Sequence, residues 1–223
     1  MPVKDVRTVY CSGALFCPEE VQAMEEIAST LEGAGYSTYL PHRDGVEAFV
    51  LNAVNDPLAN LLIFRPITRF VSRATFALDI FQILDCDYFV FNMNGRVPDD
   101  GGAFLAAVAF AVGKPVVLYK RDHRTKLYGN DNAMISGLSF DFSPVKEQVK
   151  LPGEVTRAIE RCGESGYVTG GMPPFVKLNA DLGRKVWESL KRLKEPGSKA
   201  GPMDLYDELA TACEASEAYH LRT

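Results

Sequence analysis

Four short polar segments in this chain carry residue types that can do chemistry, and a fifth supplies one more candidate. Asn94–Gly102 reads NGRVPDDGG. Its glycines, Gly101 among them, let backbone N–H groups approach a ligand, and the start of a following helix favours negative charge. Asp99 and Asp100 can accept hydrogen bonds from sugar hydroxyls, although the same pair would also serve as ordinary helix caps. Pro41–Glu47, PHRDGVE, places His42, Arg43, Asp44 and Glu47 within seven positions. Arg43 has the planar fork that grips a phosphate or carboxylate through two hydrogen bonds. The plain alternative is a charged loop with an Asp-Gly turn. In YCSGALF, Ser12 and Gly13 fall where a first strand should end, and Tyr10 serves equally as an ordinary strand residue with its hydroxyl satisfied. Asp85 and Asp87 flank Cys86 ahead of an apolar run, a place where an aspartate is uncommon unless it caps something. Asn132, in GNDNAM, reads on its own as a turn residue.

Other chemistries lack their residues. There is no G-x-S-x-G elbow, no Walker loop and no six-residue dinucleotide fingerprint. His123 sits among Lys120, Arg121 and Arg124 with no nucleophile beside it in sequence. The five cysteines (Cys11, Cys17, Cys86, Cys162, Cys213) are scattered, with no C-x-x-C pair and no metal-ligand spacing to the histidines. They predict a reduced, cytoplasmic chain without structural zinc.

The elements that must position these segments follow from periodicity. Val6–Ser12, Ser37–Leu40, Tyr88–Asn92 and Pro115–Tyr119 are short apolar runs rich in β-branched and aromatic residues, hence strands, and Leu138–Phe142 is a candidate fifth. Between them, Val21, Met24, Ile27, Ala28 and Leu31 recur at helical spacing behind Pro18 and ahead of Gly33. Ala77, Ile80, Ile83 and Leu84 mark a second helix, and Ala103–Val112 a strongly apolar third. Strands alternating with helices predict an α/β fold, a doubly wound, mainly parallel five-stranded sheet. Ligands of such sheets sit beyond the carboxyl ends of the strands, so the polar segments should converge on one crevice. Glu47–Ala74 is apolar, broken by Pro57 and Pro66, and is expected to form short helices against the body or a second subunit. Pro152–Cys162 completes the core, and Gly163–Pro174 is a connector. Val176–Leu193 and Asp204–Tyr219 form a C-terminal helical extension, so the expected division is 1–164 and 165–223.

Composition bounds the function. The 223 residues are 47% hydrophobic and 24% charged, which excludes wholesale disorder. A net charge of -5 argues against a nucleic-acid polymer as partner. No apolar run reaches the ~20 residues of a membrane span, and the start does not read as a signal peptide.

Taken together, VYCSGALF, LPHRDGVE, DCDYFVFNMNGRVPDDGGAF, AFAVGKPVVLYK and GNDNAMISGL resemble the nucleoside 2-deoxyribosyltransferase family, in the family's order, over roughly residues 6–142. The D-x-G-x-A-F stretch, followed after eight residues by G-K-P, is the most specific part. The resemblance implies a flavodoxin-like fold, no cofactor, and a homo-oligomer whose sites are shared between subunits. It implies cleavage of the N-glycosidic bond of a 2′-deoxynucleoside, or of a nucleoside monophosphate in relatives. A glutamate attacks the sugar and a covalent ester forms, as in retaining glycosidases. Position by position, Tyr10 matches the tyrosine near the nucleophile, Asp87 the acid beside the leaving base, and Asp99 the residue that binds the sugar hydroxyls. Asn132 matches the loop residue that reaches the neighbouring subunit's site, while Gly13, Arg43 and Asp44 match positions lining the pocket.

The glutamate itself is missing, because its position is Leu105, with Ala107 for the usual glycine and Asn94 for a frequent aspartate. A leucine offers no oxygen. Three readings follow: a nucleoside- or nucleotide-binding protein that has lost the chemistry, a glycosidase that uses Asp99, Asp100 or Glu47 instead, or an introduced Leu105 in an otherwise ordinary transferase. An oligomeric interaction protein with an empty crevice is the alternative from another class.

Overall fold

The computed structural model describes residues 6–48, 67–95, 97–124, 131–139, 141–162, 174–195, 198 and 201–216. They fall into two compact units, Met1–Leu40 with Ile83–Gly170, and Pro41–Gln82 with Gly171–Thr223.

The first unit is built on one parallel sheet of β1 (Thr8–Gly13), β2 (Ser37–Tyr39), β3 (Tyr88–Asn92) and β4 (Val116–Tyr119), in the order β2-β1-β3-β4. This is an α/β fold with the strand order of a flavodoxin-like sheet. The strands read as nearly continuous apolar runs because both faces are covered. On one face Val9, Cys11, Tyr88, Val90, Val117 and Tyr119 pack beneath α1 (Pro18–Glu32) and α6 (Leu151–Cys162). Helix α1 starts with Pro18 in its first turn and buries Met24, Ile27, Ala28 and Leu31, the predicted stripe. Gly35, at a φ of +91°, then takes the left-handed turn into β2 that a side chain would oppose. On the other face Tyr10 stacks on Phe89 with ring centres 5.1 Å apart, and α4 (Asp100–Ala111) buries Ala106 and Ala109.

The sheet's far edge departs from expectation. The described residues of Leu138–Phe142 lie in turns after α5 (Ala133–Ser136), not in a strand. Instead a single parallel bridge joins Tyr119 to Val145, whose N–H donates to the Leu118 carbonyl at 2.7 Å. Pro144 sits just before Val145 and has no N–H to extend the ladder.

The second unit is helical. It holds α2 (Pro41–Asp44), most of α3 (Ile67–Asp85), α7 (Pro174–Leu193) and α8 (Pro202–Glu214). Leu182, Val186 and Leu190 of α7 and Leu205, Leu209 and Cys213 of α8 share one core with Val46, Ala74, Ala77 and Leu78. The expected charged loop at PHRD is thus a short helix, and Lys194 closes its end by donating to the Arg43 and Asp44 carbonyls at 2.8 and 3.1 Å. The expected short helices of 47–74 lie outside the described residues over 49–66, as does the connector over 163–173. Residues 67–74 instead begin α3.

Gly183 marks the closest approach of α7 to α3, where an added Cβ would collide with the Ala77 carbonyl. Backbone cannot yield as a side chain can. Gly183→Ala is expected to lower stability by about 1–3 kcal/mol. Gly153→Ala in α6, with nothing within 4 Å of the new Cβ, should be neutral or stabilising by up to ~1 kcal/mol. Urea titrations of both variants check this, and equal losses would refute the assigned contact.

Candidate functional site

Parallel strands bring their carboxyl ends to one edge, and the register sets which residues meet there: Gly13 beside Asn92, and Asn92 beside Tyr119. Beyond this edge lies a crevice of about 580 Å³. Its walls are Ala14, Glu19, Glu20, Ala23 and Glu26 on the α1 side, Asn92, Asn94 and Gly95 after β3, and Tyr119 with Arg121–Arg124 after β4.

Two asparagines tie those walls together. The Asn92 side-chain oxygen accepts from the Asn94 backbone N–H at 3.1 Å and from its side-chain amide at 2.8 Å. The Asn94 oxygen accepts from the backbone N–H groups of Arg121 at 2.7 Å and Asp122 at 3.0 Å. Asn94 therefore donates on one side and accepts on the other, a pattern that aspartate would break. Gly13 has a packing duty as well, since a Cβ there would stand 2.8 Å from Met24 Sδ and 2.9 Å from Asn92 Cβ.

The charges around the crevice are largely spoken for. The Arg124 guanidinium beside Asp122 holds that carboxyl well below the usual carboxylate range. Glu19 is lowered by its own backbone N–H and then by the Cys17 thiol. Glu20 accepts from the Phe16 N–H at 2.8 Å, and Glu26 from the Gln22 amide at 2.9 Å. Just past β4, Lys120 and Asp131 form a buried ion pair at 2.5 Å, their side chains 2% and 5% exposed. The neighbouring Asn132 caps α5, accepting from the Met134 N–H at 3.0 Å.

The other sequence candidates divide by place. Tyr10 is fully buried in β1, its ring between those of Tyr39 and Phe89. Asp99 caps α4 by accepting from the Gly102 N–H at 2.5 Å, and Asp100 accepts from the Gly101 N–H at 2.8 Å. Gly102 has no room for a side chain because Phe91 lies against it. Leu105 is half-buried one turn further along α4. Asp87 lies at the amino end of β3, where it accepts from the Thr8 N–H at 2.8 Å. It thus holds the opposite end of the sheet from the crevice and is not gathered with the other candidates. Arg43 and Asp44 belong to the second unit, where they pair with each other at 3.1 Å. Glu47, also in that unit, has a buried carboxyl oxygen with no hydrogen-bond partner, and burial raises its pKa.

Sequence reading passed over Asn92, the α1 glutamates and the Lys120–Asp131 pair. The signal for Asn92 was a polar residue closing an apolar strand. A lysine directly after PVVLY, followed by an aspartate before Asn132, was the signal for the pair. Asp79 and Gln82, buried on the apolar α3, were missed because they sit inside a hydrophobic stripe. Among the described residues, no cluster of His, Cys, Asp or Glu could hold a metal, and no helix is long and apolar enough to cross a membrane.

The family profile of nucleoside 2-deoxyribosyltransferase matches residues 9–141 of this chain. Among solved structures, a conserved protein from Enterococcus faecalis V583 superposes with a TM-score of 0.51 at 20% identity, over 69% of this chain and 99% of that one. At that identity the likeness speaks for the fold. No curated protein is significantly similar in sequence.

The buried pair anchors the segment that carries Asn132. Asp131→Asn removes the carboxylate charge from this buried pair, a loss expected to cost about 3–5 kcal/mol. The double variant Lys120→Met/Asp131→Leu should recover most of that. Urea denaturation of the three proteins is the measurement, and an unchanged midpoint in Asp131→Asn would refute the anchor.

Proposed function

The chain belongs to the nucleoside 2-deoxyribosyltransferase family, and on that premise we propose that it binds a nucleoside or nucleoside monophosphate with N-glycosidic cleavage absent or much reduced. What supports this reading is Leu105, which the resemblance sets at the position of the attacking glutamate. It lies half-buried on a helix whose residues beyond Asp100 are all apolar or glycine. Hydrocarbon cannot attack the anomeric carbon, and no neighbour's field changes that.

The binding part of the site keeps its chemistry in this reading. Asp99 has a second carboxylate oxygen beyond the one that caps α4, and that oxygen is suited to the sugar hydroxyls. Gly101 lets the backbone come close, and Gly13 keeps the end of β1 free of a side chain. Tyr10 shapes the sheet face behind the site. Asn132 serves as the residue presented to a second copy. Asp87 is left out, because its carboxylate holds the amino end of β1. The chain needs no cofactor for this role and works in the cytoplasm as a homo-oligomer. Support for self-association comes from Phe104 and Phe110, 49% and 55% exposed on α4. The 165–223 helices are an addition to the family domain, which ends within the first 164 residues.

One observation favours a second reading, an active glycosidase. Glu47 has the environment of a general acid, because burial and an unpartnered oxygen favour its protonated form. Asp99 and Asp100 are weaker substitutes, since each already accepts from a backbone N–H. A third reading, a non-catalytic interaction protein, predicts no thermal stabilisation by any nucleoside or nucleotide.

Base release from 2′-deoxynucleosides and their monophosphates decides among these, measured for the native chain, Leu105→Glu and Glu47→Gln. Release by Leu105→Glu alone is the expected result. Release by the native chain that Glu47→Gln abolishes would instead establish the glycosidase. Light scattering is expected to give a mass of at least twice 24.6 kDa, and a concentration-independent monomer would refute the oligomer.

A further inference from the structure

We propose that the strand-end crevice is a second ligand site, on the opposite face of the sheet from Tyr10 and α4, and that it takes a small zwitterion with an excess of positive charge, of the class of a basic amino acid. This inference goes beyond the nucleoside-binding reading and stands on residues that reading does not use.

Side chains alternate along a strand, so parity assigns the faces. Val9, Cys11, Val90 and Val117 pack in the core beneath α1 and α6, and Asn92 and Tyr119 share their parity at the carboxyl ends of β3 and β4. Phe91 points the other way and lies against Gly102 of α4, on the same face as the Tyr10–Phe89 stack. The crevice, of about 580 Å³, is lined by Asn92 and Tyr119 and not by α4.

Two buried lining residues hold donors that the chain does not use. Tyr119 is only 3% exposed, and its hydroxyl has no hydrogen-bond partner among the described residues. Asn92, 5% exposed, donates one amide N–H to the Met24 sulfur at 3.5 Å, a weak acceptor, and its other N–H finds no acceptor among the described residues. A buried donor left unmatched costs stability, which a ligand oxygen would return. On the β4 side, Arg121 spends its backbone N–H on Asn94, but its guanidinium is in no ion pair among the described residues, since Asp122 is taken by Arg124. Together these groups suit a carboxylate, which Arg121 can grip through two hydrogen bonds.

The α1 side carries the opposite chemistry, with Glu19, Glu20 and Glu26. Glu20 accepts from the Phe16 N–H and Glu26 from the Gln22 amide, but an ionised carboxylate has about four lone-pair sites, so each can accept further bonds. A bare anion at Tyr119 and Asn92 would meet these glutamates unscreened. A bare cation at the glutamates would leave the Tyr119 and Asn92 donors unmatched. A ligand that carries a carboxylate at one end and cationic groups at the other satisfies both sides. The lining holds four carboxylates and two guanidiniums, so a zwitterion with net positive charge suits it better than a neutral one.

The test is calorimetric binding of the full-length chain to L-arginine, with agmatine, which lacks the carboxylate, and butyrate, which lacks the cation, as comparisons. The native protein is set beside Tyr119→Phe, which keeps the buried ring, and Arg121→Gln, at an exposed position, after circular dichroism shows all three folded. We expect arginine to bind about tenfold tighter than either analogue, and each substitution to weaken it about tenfold, the loss of one hydrogen bond to a charged group. An excess of 2′-deoxynucleoside should leave the arginine affinity unchanged. Either analogue binding as tightly as arginine overturns the zwitterion. An affinity that neither substitution moves overturns the assignment to this crevice, and displacement by the nucleoside overturns the separate site. Absence of arginine binding overturns the proposal as a whole and leaves the nucleoside-binding reading to its own assay of base release.

Discussion

The register of β1 against β3 is the constraint on which the rest of the first unit depends. It sets Gly13 directly beside Asn92, at a separation that leaves no space for a Cβ between Asn92 and Met24. Because the sheet is parallel and buried on both faces, its polar chemistry has nowhere to go but the strand ends. Asn92 is the first polar group to emerge there, and it fixes Asn94, which in turn holds the start of the segment after β4. A slip of one residue would turn Asn92 to the opposite face of the sheet, away from the crevice it lines. The crevice is thus a consequence of strand pairing and not of any single loop.

A similar economy holds at the other end of the sheet. Asp87 accepts from the Thr8 N–H while its own N–H donates to the Thr8 carbonyl, so one residue closes the entry of both β1 and β3. Lys114, at the turn into β4, donates to the Leu84 and Cys86 carbonyls at 2.9 and 2.5 Å. It satisfies the C-terminal end of α3, where a cation also complements the helix dipole. The G-K-P stretch that carried much of the family resemblance therefore owes its lysine to helix capping. Sequence motifs of a family mix residues of both kinds, and hydrogen-bond geometry separates them.

The strands and the amphipathic helices were legible because burial imposes a period. Val9 and Cys11 alternate, and Met24, Ile27 and Leu31 form a stripe, whatever the ligand. That Asp87 lies at the amino end of the sheet, away from the crevice, became visible only once β3 had its bounds. The fifth strand failed for a different reason: LSFDF is apolar enough to pair, yet the edge is occupied by Val145 through one bridge. The helical core of α3, α7 and α8 was half visible. The stripes of α7 and α8 could be read, but that they close on α3 depends on Gly183, a residue that in sequence reads as a helix weakness. The α1 glutamates escaped notice because on any surface helix they are the expected solvent-facing residues.

Glu47 and the Leu105 position bear on the same question from opposite directions. Leu105 is inexpensive: an apolar residue on an apolar helix, half-buried, with no polar atom to satisfy. Glu47 is costly, since a buried carboxyl oxygen without a partner loses its hydration and receives nothing in return. A protein with no use for such a carboxyl would gain stability by replacing it with a hydrophobic or amide group of similar size. Glu47 contributes its stability only while protonated, fully present below the ordinary glutamate pKa and lost as pH rises through the raised folded value. Perturbed buried carboxyls cluster at functional sites, which is what recommends Glu47 for the second proposed reading. The two positions therefore weigh on opposite sides of the proposed readings: Leu105 on that of lost chemistry, Glu47 on that of a carboxyl able to stand in for it.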